Sequence, residues 1–124
     1  MTWKIKRTTL NLILEASKDS YPYEFAALLR GKYGVIYEIV LIPTIQGKRS
    51  ALYYLFMKPI DFTIVGTVHS HPSGSLEPSE EDISLFSRTG EVHIIVGYPY
   101  CKDCWKAYNR NGEEIAIEVM EDDE

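Results

Sequence analysis

No apolar run in the 124-residue chain approaches membrane-spanning length, which takes about 20 consecutive apolar residues in a helix. A basic face is missing as well: 13 Lys and Arg stand against 18 Asp and Glu, a net charge of −5. Non-specific nucleic-acid binding rests on such a face, and so does attraction to an anionic membrane surface. Neither nucleic acid nor membrane is therefore an expected partner. There is no internal repeat, linker or low-complexity segment, and cysteine occurs only at Cys101 and Cys104. Met1 to Lys18 does not read as a signal peptide, because its apolar run is short, is interrupted by Asn11 and Glu15, and lacks a small-residue cleavage site. A cytoplasmic location is the expectation.

What is present is the composition of one globular domain. Hydrophobic content of 45% and charged content of 25% suit a single ordinary core, so residues 1–120 are read as one domain. Glu121-Asp122-Asp123-Glu124 reads as a solvated acidic tail.

Periodicity divides the chain into elements. Trp3 to Ile5 reads as a short strand. Thr8 or Thr9 then caps a helix to about Lys18, with Leu10, Ile13, Leu14 and Ser17 on one face. Asp19 to Pro22 breaks it. Glu24 to Arg30 and Val35 to Ile42 read as a hairpin about a Gly31–Gly34 turn. A polar loop, Gln46 to Ser50, precedes a strand over Ala51–Met57 and a connection over Pro59–Phe62. Phe62 to Val68 is apolar and β-branched, which suits a buried strand. Glu80 to Arg88 reads as a helix ended by Gly90, and Val92 to Val96 as another strand. Trp105 to Asn109, the Arg110-Asn111-Gly112 turn and Glu113 to Val119 read as a last hairpin. The order of helix, strands, helix, strands gives an α/β sandwich, one central mixed sheet with helices against it.

The chemistry gathers in one stretch, His69-Ser70-His71-Pro72-Ser73-Gly74-Ser75-Leu76-Glu77-Pro78-Ser79-Glu80-Glu81-Asp82. Residues i and i+2 of a strand share a face, so His69 and His71 can converge. The Pro/Ser/Gly run from Pro72 to Pro78 turns the chain back and brings Asp82 towards them. Two imidazoles and one carboxylate, with no obvious fourth protein ligand, is the ligand count of a catalytic zinc site with a place for water. Ser79-x-x-Asp82 also has the form of a helix N-terminus, with Ser79 as N-cap and acidic residues in the first turn.

His69-x-His71, seven residues, Ser79, two residues and Asp82 resemble the signature of the JAMM (MPN+) metalloprotease family. That family also has a glutamate at the start of an early strand, and Glu24 in Tyr21-Pro22-Tyr23-Glu24-Phe25-Ala26 fits that place. The resemblance runs from the first helix to the last strand. It implies a three-layer sandwich similar to that of cytidine deaminases. It implies one zinc ion per chain on His69, His71 and Asp82, Glu24 as general base, and Ser79 as hydrogen-bond donor to the oxyanion. The implied substrates are peptide or isopeptide bonds after the C-terminal Gly-Gly of ubiquitin-like modifier proteins. A small chain with short loops resembles the prokaryotic and archaeal members, and a homo-oligomer is compatible with the reading.

Three alternatives share the scaffold: a non-catalytic MPN protein, a RadC-like protein, and a small-molecule amidohydrolase. Filled ligand positions argue against the first. The acidic charge and the lack of a helical DNA-binding extension argue against the second.

Cys101-Lys102-Asp103-Cys104 lies between two strands, whereas a redox CxxC normally opens a helix. As half of a zinc site it would need two more soft ligands, and the chain has no other cysteine. A hairpin loop with two free thiols or a local disulfide is the expectation for Cys101 and Cys104. His93, inside a β-branched strand, reads as a structural residue beside the core.

Overall fold

The computed structural model describes residues 2–41 and 61–121. The expected Gln46–Ser50 loop, the Ala51–Met57 strand, the start of the Pro59–Phe62 connection, Ile42 and Asp122–Glu124 lie outside the described residues.

Strand β1 (Trp3–Lys6) runs directly into helix α1 (Arg7–Ser20). Strands β2 (Ala26–Lys32) and β3 (Val35–Leu41) form the expected hairpin. Strand β4 (Ile64–His71) precedes α2 (Glu80–Thr89), followed by β5 (Val92–Gly97) and β6 (Trp105–Tyr108). Two short strands, β7 (Glu114–Ile115) and β8 (Ile117–Met120), end the domain. All eight join one mixed sheet in the order β7-β6-β5-β4-β2-β3-β1-β8. No helix among the described residues is long and apolar enough to cross a membrane.

Two sequence expectations are corrected. Neither Thr8 nor Thr9 caps α1: Lys6 is the N-cap and makes no side-chain cap bond. Pairing of Lys6 with Met120 of β8 keeps the chain extended up to that residue, and Thr9 is buried among the core residues of the helix. The last strand is also divided. Only Glu114 and Ile115 return alongside β6, while Ile117 to Met120 pair in parallel with β1 at the opposite edge. Ile115 and Ile117 are two residues apart, so they cannot be farther apart than about 7 Å. The two edges of the sheet therefore meet at Ala116, and the sheet curls back on itself.

That curl explains the core. Leu10, Ile13 and Leu14 of α1 pack in one cluster with Ile5, Ala27, Leu29, Ile36, Val68, Ile94 and Ala107, joined by Ile115 and Ile117. Every described strand contributes. The alternate residues of β2, Ala26 and Leu28, point the other way and meet Leu85 of α2. Period-2 alternation thus gives each helix its own face of the sheet. β5 reads Val-His-Ile-Ile-Val-Gly and is buried throughout, as a strand covered on both faces should be.

Helix α2 buries Asp82, Leu85, Phe86 and Thr89, the i, i+3, i+4, i+7 stripe of an amphipathic helix. Asp82 is the first member of that stripe, so the packing that seats Leu85 and Phe86 also aims Asp82 at the sheet. Gly90 ends the helix with φ 137°, a conformation side-chain-bearing residues rarely adopt. A Cβ there would lie 2.3 Å from the Val65 carbonyl oxygen.

Candidate metal centre

His69 and His71 occupy the C-terminal end of β4, with His69 opposite Ala26 of β2 and Ile95 of β5. His69 and Asp82 are fully buried and His71 nearly so. His69 Nε2 lies 3.1 Å from Asp82 Oδ1, and His71 Nε2 lies 3.3 Å from Asp82 Oδ2. The two Nε2 atoms are 3.2 Å apart. Among the described residues this is the group of His, Cys, Asp and Glu close enough to hold a metal ion, its ligand atoms all within 4.8 Å of one another.

Local chemistry sets each ligand. The His71 Nδ1–H donates to the Ser75 carbonyl at 2.9 Å. In a neutral ring that bond leaves a lone pair on Nε2, facing a carboxylate oxygen. Two electron-rich atoms at such a distance call for a cation between them, a proton or a metal ion. The donor set of two imidazole nitrogens and a carboxylate suits zinc, and the residues present fit it. His69 Nδ1 is buried without a hydrogen-bond partner among the described residues.

Asp82 is held by a capping box. The Ser79 backbone N–H donates to Asp82 Oδ2 at 2.8 Å, and the Asp82 N–H donates to Ser79 Oγ at 3.1 Å. Burial alone would push the Asp82 carboxyl up; with protons on the histidine nitrogens that face it, their hydrogen bonds outweigh burial and hold the group well below the usual carboxylate range. Glu80 and Glu81 accompany it in the first turn, where the helix dipole favours negative charge.

Glu24 is half-buried and lies two residues before the start of β2 at Ala26. The Ala26–His69 register continues one step further, because the Ser70 N–H donates to the Phe25 carbonyl at 2.9 Å. The Ser70 hydroxyl also accepts the Phe25 N–H at 2.8 Å. Glu24 precedes Phe25 and His71 follows Ser70, so the two flank this last bonded pair between the segments. Ser70 was not singled out from the sequence. Its position between the two histidines, on the other face of the strand, is the signal that could have found it.

His93 is buried and structural. Its Nε2–H donates to the Gly90 carbonyl at 3.0 Å, and its Nδ1 accepts from the Thr67 hydroxyl at 2.8 Å. Its ring stacks on Phe86 at 4.3 Å. Burial pushes it down to about 4. Cys101 and Cys104 form a disulfide with no metal-ligating neighbour in the candidate centre.

The chain is an α/β domain with a curled mixed sheet and, at a strand end, a buried His-His-Asp group that could hold a metal ion. The family model described as prokaryotic homologs of the JAB domain matches residues 6–111, and the chain belongs to that JAMM (MPN+) family. A curated relative from Haloferax volcanii, described as a probable metalloprotease, is 37% identical over 130 residues, covering 96% of this chain and 80% of the relative. The crystal structure of a JAB1/MPN domain protein from Archaeoglobus fulgidus is similar, with a TM-score of 0.79 and 48% identity over 94% of this chain and 97% of that one. A structure presented as JAMM, a metalloprotease-like zinc site in the proteasome and signalosome, has a TM-score of 0.78 and 46% identity, covering 97% and 99%. The buried His69, His71 and Asp82 are consistent with a JAMM zinc site.

Proposed function

We propose that this protein is a zinc-dependent peptidase that hydrolyses the peptide or isopeptide bond after the C-terminal Gly-Gly of a ubiquitin-like modifier. The observation that carries the reading is the buried group of His69, His71 and Asp82, whose ligand atoms lie within 4.8 Å of one another. Membership of the JAMM family and a relative described as a probable metalloprotease support it. In this reading the two faces with a helix each form a three-layer, cytidine-deaminase-like sandwich, and the protein is cytoplasmic.

His69, His71 and Asp82 would hold the metal. Zinc, when bound, acts as a Lewis acid and brings water into its nucleophilic range near neutral pH. Glu24 accepts the proton of the attacking water and passes it to the leaving amine. The Ser79 hydroxyl donates to the oxyanion that develops on the scissile carbonyl, while its oxygen serves the helix cap; a hydroxyl can do both. A Gly-Gly tail has no side chains, so its backbone can lie extended in a narrow groove.

The reading is tested with linear and lysine-linked fusions ending in Gly-Gly beside matched fusions ending in Ala-Ala. Cleavage confined to the Gly-Gly substrates is expected. Equal cutting of both would remove the diglycine assignment.

A further inference from the structure

Tyr108 lies on β6, outside the group that would hold the metal, and is 3% exposed. Its hydroxyl donates to the Leu76 carbonyl at 2.6 Å. The preceding carbonyl, that of Ser75, takes the His71 Nδ1–H. These two carbonyls belong to successive peptide units, so a bond that fixes one restricts the other. The Tyr108 ring stacks against Phe86, with centroids 6.3 Å apart and planes 22° from parallel, which sets the direction of its hydroxyl.

Below the same loop there is no slack. A Cβ on Gly97 would lie 2.8 Å from the Gly74 carbonyl oxygen and 2.9 Å from Leu76 Cδ2. Lys106 and Glu77 also pair across to the loop at 3.6 Å, but both are exposed and such pairs hold little. The buried tie from β6 to the loop is the Tyr108 hydroxyl.

We infer that Tyr108 is a positioning residue for His71: through the Leu76 carbonyl it holds the loop so that Ser75 keeps the His71 ring with Nε2 towards Asp82. This rests on the metal-site reading above. Burial, then the charges of Glu77 and Glu114, push the Tyr108 hydroxyl up to about 12, so it stays a donor across the working pH range. Partners that orient a metal-bound histidine are commonly worth 10- to 100-fold in metal affinity. Tyr108 acts one peptide further out, and the lower end of that range is expected.

The test is zinc affinity, measured by competition with a chromophoric chelator, for the parent protein and for Tyr108→Phe, Gly97→Ala and Ile36→Val. Tyr108→Phe removes only the hydroxyl and should weaken zinc binding about tenfold, with nitrogen NMR of His71 showing reduced Nδ1–H population. Ile36→Val trims the core on the other face and should keep parental affinity at similar loss of stability. If Tyr108→Phe does not fold, Gly97→Ala displaces the same loop and should show the same weakening. Parental zinc affinity and parental His71 signals in the folded variant overturn the role of Tyr108 and leave the metal site standing. A parent protein that binds no zinc overturns the metal reading itself.

Discussion

Ser79 and Asp82 hold each other at the start of α2, each backbone N–H bonded to the other's side chain, at 2.8 Å and 3.1 Å. The helix cap and the orientation of the carboxylate are thus one structure. Asp82 Oδ2, which accepts from Ser79, is also the oxygen facing His71 Nε2. Any change at Ser79 therefore acts on both the helix and the candidate centre.

Ser79→Ala should separate these effects. Loss of a serine N-cap costs about 1 kcal/mol of stability. Loss of an oxyanion donor costs about 100- to 1,000-fold in turnover. A lowered melting temperature with turnover reduced into that range is expected. Normal turnover with the lowered melting temperature alone would leave Ser79 as a cap and nothing more.

Glu24→Gln keeps shape and removes the proposed base. Glu24 is not among the metal-ligating group, so zinc content should be unchanged. The amide cannot take the water's proton, and hydrolysis should fall by at least ~100-fold while substrate still binds. Measuring zinc and rate on the same sample decides it: full activity at full zinc content would rule out Glu24 as base.

His93 predicts a pH dependence of stability. The unfolded chain takes up a proton on this side chain near the ordinary 6.5, whereas the folded protein holds off until about 4. Between those values the unfolded state binds more protons, so stability falls as pH drops through that window. The contribution by pH 4 is on the order of 3 kcal/mol. The Arg110 charge also disfavours the protonated ring. Denaturant unfolding of the parent and of His93→Gln between pH 7 and 4, taken as a difference, isolates this residue. Equal slopes in the two proteins would contradict it.

The Cys101–Cys104 disulfide closes a very short loop, separation 3. Chain-entropy stabilisation grows with loop length, so this one contributes at most about 2 kcal/mol. A Cys101→Ser, Cys104→Ser double variant should melt a few degrees lower and keep near-parental turnover. A loss of several hundred-fold with the fold intact would mean that the pair takes part in the chemistry.

Much of the centre was legible because its signals are local. Strand alternation set His69 and His71 on one face, and the Ser-x-x-Asp pattern marked the α2 cap. Glu24 is different: its place depends on pairing with β4 some 45 residues away, through Phe25 and Ser70, and only the family resemblance raised it above a solvated glutamate. Tyr108 and Ser75 carried no signal, since one acts through a backbone carbonyl and the other is one. The division of the last strand was illegible for the same reason. Ala116 looks like any strand residue, and the choice of edge for Ile117 to Met120 is made by β1 at the far end of the chain. The cap of α1 failed because Thr8 and Thr9 fit the local rule, whereas the sheet pairing of Lys6 decided where the helix begins.

The proposed activity requires a zinc ion held by His69, His71 and Asp82 to cut a Gly-Gly fusion. The most direct measurement is the hydrolysis rate of that fusion as zinc is titrated into chelator-treated protein. The rate should start near zero and rise linearly to a plateau at about one zinc per chain, with His69→Ala and Asp82→Ala flat throughout. Undiminished hydrolysis by the zinc-free protein, or by either variant, would contradict it.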